Sequence, residues 1–91
     1  MNSFMAVAVF KPEVTVDDIR ELIPAEMAQA KILEEEGKLG AIKVSMARRT
    51  VFLETFADSE ASAMEAISSL PFIKLWDVDI FPITPPAGTA L

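Results

Sequence analysis

The sequence predicts one α+β domain of element order β-α-β-β-α-β, in which a four-stranded antiparallel sheet carries two helices on one face. Two observations carry that prediction. Four stretches place apolar residues at strand spacing and two at helix spacing, and the helical stretches follow the first and third strand-like ones. A chain of 91 residues, 52% of them hydrophobic, suffices for one core and is too short for two.

The elements follow in order. Phe4 to Phe10 is apolar on both sides, too short for a helix and bounded by Lys11-Pro12, which predicts an inner strand. Thr15 and Asp18 are spaced as a capping box, Asp17 and Asp18 suit the positive end of a helix dipole, and Gly37 offers a left-handed stop after Glu34, Glu35 and Glu36. A long helix over 16 to 36 results. Pro24 removes a backbone donor inside it and disfavours helical geometry at Ile23, so a kink or restart is expected there. Leu39 to Met46 and Thr50 to Phe56 read as strands of a hairpin turning at Ala47-Arg48-Arg49. Asp58 or Ser59 then caps a second helix, with Ala63, Met64, Ile67 and Leu70 on its buried side and Pro71 at its end. Trp76 to Ile83 is the last strand, with Val78 and Ile80 on one face and Asp77 and Asp79 on the other. The tail over 84 to 91, with Pro85-Pro86 and Gly88, is expected to run extended and poorly ordered or to reach a neighbour. Phe4, Val9, Phe52 and Phe56, shared between the two sheet faces, leave the helix-free face too apolar for water. Two sheets are therefore expected to stack as a homodimer, open to further assembly.

Composition narrows the chemistry. A net charge of -6 with 8 basic residues argues against nucleic acid or an anionic membrane as partner. The absence of cysteine removes disulfides, thiolate metal sites and cysteine nucleophiles. The absence of histidine removes the commonest general base, the usual haem ligand and the histidine-based nucleophilic triads. With no basic leader, no small-residue cleavage site and no long apolar run, the chain is expected to be soluble, unexported and cytoplasmic.

One residue breaks the pattern of the first helix. Glu26 lies among Ile19, Leu22, Ile23, Ala30 and Leu33, within about 20° of Ile19 and about 40° of Ala30 on a helical wheel. A carboxylate on that face finds a partner, reaches a wet cavity, or holds its proton with a raised pKa, as a general acid or base near neutrality requires. A kink that turns it outward, or a salt bridge to Lys43 or Lys74, is the structural alternative.

The residues also resemble a known family. Glu35-Glu36-Gly37, the hairpin, Leu70-Pro71-Phe72, Trp76-Asp77-Val78-Asp79-Ile80 and Pro82 look like muconolactone isomerase-like proteins of the dimeric α+β barrel group, with a ferredoxin-like fold. The stretch Ile23-Pro24-Ala25-Glu26 leading to Glu36-Gly37-Lys38-Leu39 resembles the sister YCII-related family, in which a histidine takes the place of Glu26. The resemblance implies a cleft between the first helix and the sheet, a small acidic or lactone substrate, and a helix-one carboxylate that shuttles a proton without cofactor or metal. Glu26 matches that carboxylate. Family members carry histidine and other polar residues where this chain has Leu39, Gly40, Ala41 and Ile42.

Further candidates complete the site. Lys43 alternates with Ala41 and Ser45 and is a candidate to face the pocket, holding Glu26 ionised or binding an enolate oxygen. Arg48 and Arg49 could clamp a substrate carboxylate or be solvated turn charges. Trp76 and Phe72 could wall the cleft or pack in the core. Asp77 and Asp79 form a carboxylate pair with no third oxygen-rich segment, which reads as a solvated rim more than a metal site. The leading expectation is a cofactor-free isomerase of a small unsaturated lactone or related carbonyl acid. A non-catalytic ligand-binding or assembly module is the alternative, followed by a cofactor-independent oxygenase or cyclase.

Overall fold

The computed structural model describes residues 1–84 and gives β1 (Asn2–Phe10), α1 (Val16–Glu35), β2 (Leu39–Ser45), β3 (Thr50–Ala57), α2 (Glu60–Ser68), a 3-10 helix (Pro71–Leu75) and β4 (Trp76–Ile83). The strands form one antiparallel sheet in the order β2-β3-β1-β4, consistent with a ferredoxin-like fold. β1 is an inner strand, as its two-sided apolar run requires. The tail expected to be extended lies, after Thr84, outside the described residues.

Local chemistry sets the helix ends. Thr15 Oγ1 accepts from the Asp18 N–H at 3.1 Å, and Asp18 Oδ2 accepts from the Thr15 N–H at 2.9 Å, which closes the capping box. Those bonds, the Thr15 N–H first, hold the Asp18 carboxyl below its usual range. At the other end Gly37, at φ 74°, donates to the Glu34 carbonyl at 3.0 Å while Lys38 donates to Leu33 at 2.9 Å. This double bond pattern terminates α1 and needs the left-handed backbone that glycine adopts freely. Pro24 lies inside an α1 that runs unbroken from Val16 to Glu35, so no restart occurs. Pro24 and Arg20 are both solvent-exposed, so water can satisfy the Arg20 carbonyl that lacks a helical donor.

The hairpin departs from plain alternation. Leu39 pairs with Thr55 and Ile42 with Leu53, so Gly40 and Ala41 share the place opposite Glu54 in a β-bulge. The Ala41 N–H freed by the bulge donates to Glu54 Oε1 at 3.1 Å. A side chain at residue 40 would run into that carboxylate and meet the Phe56 ring at 2.9 Å, so glycine is required by space. Ser59 caps α2, accepting from the Ser62 N–H at 3.1 Å. The buried side of α2 is Ala63, Ala66 and Ile67; Ala66 takes the core position expected of Met64. Pro71 ends that helix and also begins the 3-10 helix, which proline's fixed φ suits.

The core lies between the sheet and the helices. Ala6, Ala8, Val51, Leu53 and Trp76 meet Leu33, Ala66, Ile67 and Leu70, while Phe4, Ala57 and Ala63 form a second cluster. The other sheet face carries Met5, Val7 and Val9 beside Phe52, Glu54, Asp79 and Phe81. Val9, Phe52 and Phe81 are 41%, 37% and 50% exposed there. Among the described residues no helix is long and apolar enough to cross a membrane.

Candidate functional site

Glu26 faces the 3-10 helix. Pro71 has no N–H, so the Phe72 N–H is the first donor of that helix and needs an acceptor from outside it. Glu26 Oε1 supplies it at 2.8 Å, across 46 residues of sequence. The carboxyl is partly buried, and desolvation raises its pKa above the ordinary 4.5, with the Phe72 N–H pulling in the opposite direction and losing. The partner of Glu26 is therefore a backbone amide. Among the described residues the ion pairs are Arg20 with Asp17 and Lys38 with Glu36, and neither Lys43 nor Lys74 joins it.

Phe72 joins this acid to an aromatic cluster. Its ring lies edge-on to Trp76 at 5.7 Å and to Phe10 at 5.9 Å, and Phe10 and Trp76 are 6.1 Å apart. Trp76, expected to contact substrate, is only 4% exposed and belongs to the core. Its position at the head of β4, on the helix side of the sheet, puts the indole beneath the helices. The Trp76 Nε1–H has no acceptor among the described residues.

The structure does not bring the other sequence-derived candidates to Glu26. Lys43 pairs with Phe52, which pairs with Val7, and these side chains occupy the sheet face away from α1. The bulge is the reason. Simple alternation from the buried Leu39 would turn Lys43 toward the helices, and the extra residue reverses it. Arg48 is exposed at the hairpin tip, its N–H donating to Ser45 Oγ at 3.3 Å. Arg49 has a structural role: its Nη2 donates to the Lys11 and Val14 carbonyls at 3.0 and 3.1 Å, and its backbone is left-handed at φ 50°.

A groove of about 380 Å³ opens between α1, α2 and the end of β3, lined by Gln29, Leu33, Phe56, Ser62, Glu65 and Ser69 among others. Gln29 Nε2 donates to Ser69 Oγ at 3.0 Å, and Ser69 Oγ donates to the Ala66 carbonyl at 2.6 Å. These polar residues were hidden in the sequence, although Gln29 follows Glu26 by one turn on the same stripe. Two cross-links thus tie α1 to the segment after α2, Gln29 to Ser69 and Glu26 to Phe72. Glu26 does not line the groove; Gln29 does.

The fold and this site define a class: a ferredoxin-like α+β domain with a partly buried helix carboxylate beside a polar groove. No family model matches the chain, and no curated protein matches it.

Proposed function

We propose that the protein isomerises a small unsaturated lactone or related carbonyl acid without a cofactor, as its resemblance to muconolactone isomerase-like proteins implies, and that it does so as a homodimer. Glu26 is the acid and base. Its carboxylate takes a proton from the carbon attached to the far end of the C=C conjugated with the carbonyl, the C–H electron pair moves through that double bond into a dienolate, and the same carboxyl returns the proton to the carbon next to the carbonyl. Atoms and charge balance with no co-reactant. The observation that supports this is the environment of Glu26: burial raises its pKa, and among the described residues a single N–H, on Oε1, is bonded to it. Gln29 and Ser69 line the groove, Gln29 three residues from Glu26 and Ser69 three residues from Phe72. Substrate enters from the groove in this reading and opens the Gln29–Ser69 bond. The test is deuterium uptake from D2O into muconolactone, followed by NMR. Glu26→Gln keeps an acceptor for the Phe72 N–H and removes the titrating group, so the rate is expected to fall about 10²–10⁴-fold. Equal rates for both chains contradict the proposal.

One observation favours a second reading, a non-catalytic binding or assembly module: Glu26 Oε1 is already engaged in capping the 3-10 helix. That reading expects small carboxylic acids to raise the melting temperature of the wild-type chain while no deuterium enters the lactone.

A further inference from the structure

The uncovered face of the sheet carries a charge pattern that its apolar character alone does not explain. One register row runs straight across all four strands: Lys43 on β2, Phe52 on β3, Val7 on β1 and Asp79 on β4. It reads basic, apolar, apolar, acidic. Both charged residues are exposed and both sit on edge strands. A second row shows the same asymmetry in size, because Phe81 on β4 shares it with Met5, Glu54 and the Gly40-Ala41 bulge on β2. The largest exposed side chain of the row is at one edge and the smallest residues are at the other.

We infer that this face is covered by a second copy of the chain, related by a twofold axis that runs along the strands between Phe52 and Val7, so that Lys43 of each copy lies against Asp79 of the other. The inference rests on the homodimer proposed above and specifies its register. A twofold in that position carries β2 of one copy over β4 of the other. Lysine then meets aspartate, Phe52 meets Val7, and Phe81 meets the space left by Gly40 and Ala41. A twofold across the strands at the same row would instead stack Lys43 on Lys43 and Asp79 on Asp79, which like-charge repulsion opposes. Packed sheets lie about 10 Å apart, a gap that a lysine and an aspartate side chain span together. Glu54 lies on the same face, with its carboxylate turned along its own sheet to accept the Ala41 N–H at 3.1 Å. The bulge held by that bond is also what turns Lys43 to this face.

Sedimentation equilibrium of the full chain and of Lys43→Asp, Asp79→Lys and the double variant tests the register. Wild type is expected to be a dimer, each single reversal to weaken it about tenfold or more, and the double variant to recover most of that loss, as close charge pairs across interfaces do. Fluorescence of Trp76, buried on the opposite side, reports that each variant remains folded. A dimer that ignores the single reversals, or a double variant as weak as the two losses combined, overturns the register and leaves the homodimer standing. A wild-type chain that stays monomeric overturns both.

Discussion

The two faces of the sheet are built from the same four strands and meet opposite fates. Leu53 is 1% exposed beneath the helices, whereas its neighbour Phe52, on the other face, is 37% exposed. On the helix side Ala6 and Ala8 of the inner strand leave room for α1 and α2 to approach, and larger residues on the flanking strands fill the remainder. On the other side Met5, Val7 and Val9 offer a band of apolar surface with charges at its two edges. The difference teaches that one face is finished by the chain itself. The other is left uncovered and is where the proposed second copy would sit, while the proposed acid lies on the finished side, on α1.

Truncating the two neighbours breaks this comparison most strongly. Leu53→Ala is expected to cost about 2–5 kcal/mol in denaturant unfolding, because it opens a cavity in a closed core. Phe52→Ala is expected to change the unfolding of the dilute chain by under about 1 kcal/mol and to act on self-association instead. Similar losses from both, independent of protein concentration, would remove the distinction between the faces. Gly40→Ala comes next, at about 1–3 kcal/mol, because the new methyl displaces the Glu54 carboxylate from the bulge and crowds Phe56. A neutral Gly40→Ala would show that the bulge is soft and that the orientation of Lys43 is not fixed by it.

The smallest expected effect is in pH dependence. The folded chain keeps a proton on Glu26 at pH values where the unfolded chain, at about the ordinary 4.5, has lost it. Ionisation of Glu26 thus weakens the fold, and this group's contribution to stability grows as pH falls from the raised value toward 4.5. In Glu26→Gln that slope disappears from the unfolding curves. A wild-type curve of the same slope as the variant's would mean that burial does not act on the group.

Much of this was legible in the sequence, and the reasons are local. Thr15 with Asp18, Gly37 and Ser59 mark helix ends through bonds to nearby backbone, so a few residues suffice to identify them. Alternation along Trp76–Ile83 separates Val78 and Ile80 from Asp77 and Asp79 as expected. Glu26 was visible as a carboxylate on an apolar stripe. Its partner was not, because the Phe72 N–H is 46 residues away and becomes a free donor only once Pro71 opens a 3-10 helix. Lys43 was phased to the wrong face by a bulge whose one sequence mark is Gly40. For Trp76 the sequence left cleft wall and core packing both open, since alternation gives a residue's face and says nothing of its depth below the helices; it is 4% exposed, in the core.

The proposed chemistry requires that burial hold Glu26 ready to exchange a proton. Titration of its side-chain carboxyl carbon by NMR in the full chain measures this directly, with Glu26→Gln to assign the signal. The expected midpoint lies above 4.5, in the direction set by desolvation. A midpoint at or below 4.5 would mean that water and the Phe72 N–H stabilise the anion, and it would contradict the proposal.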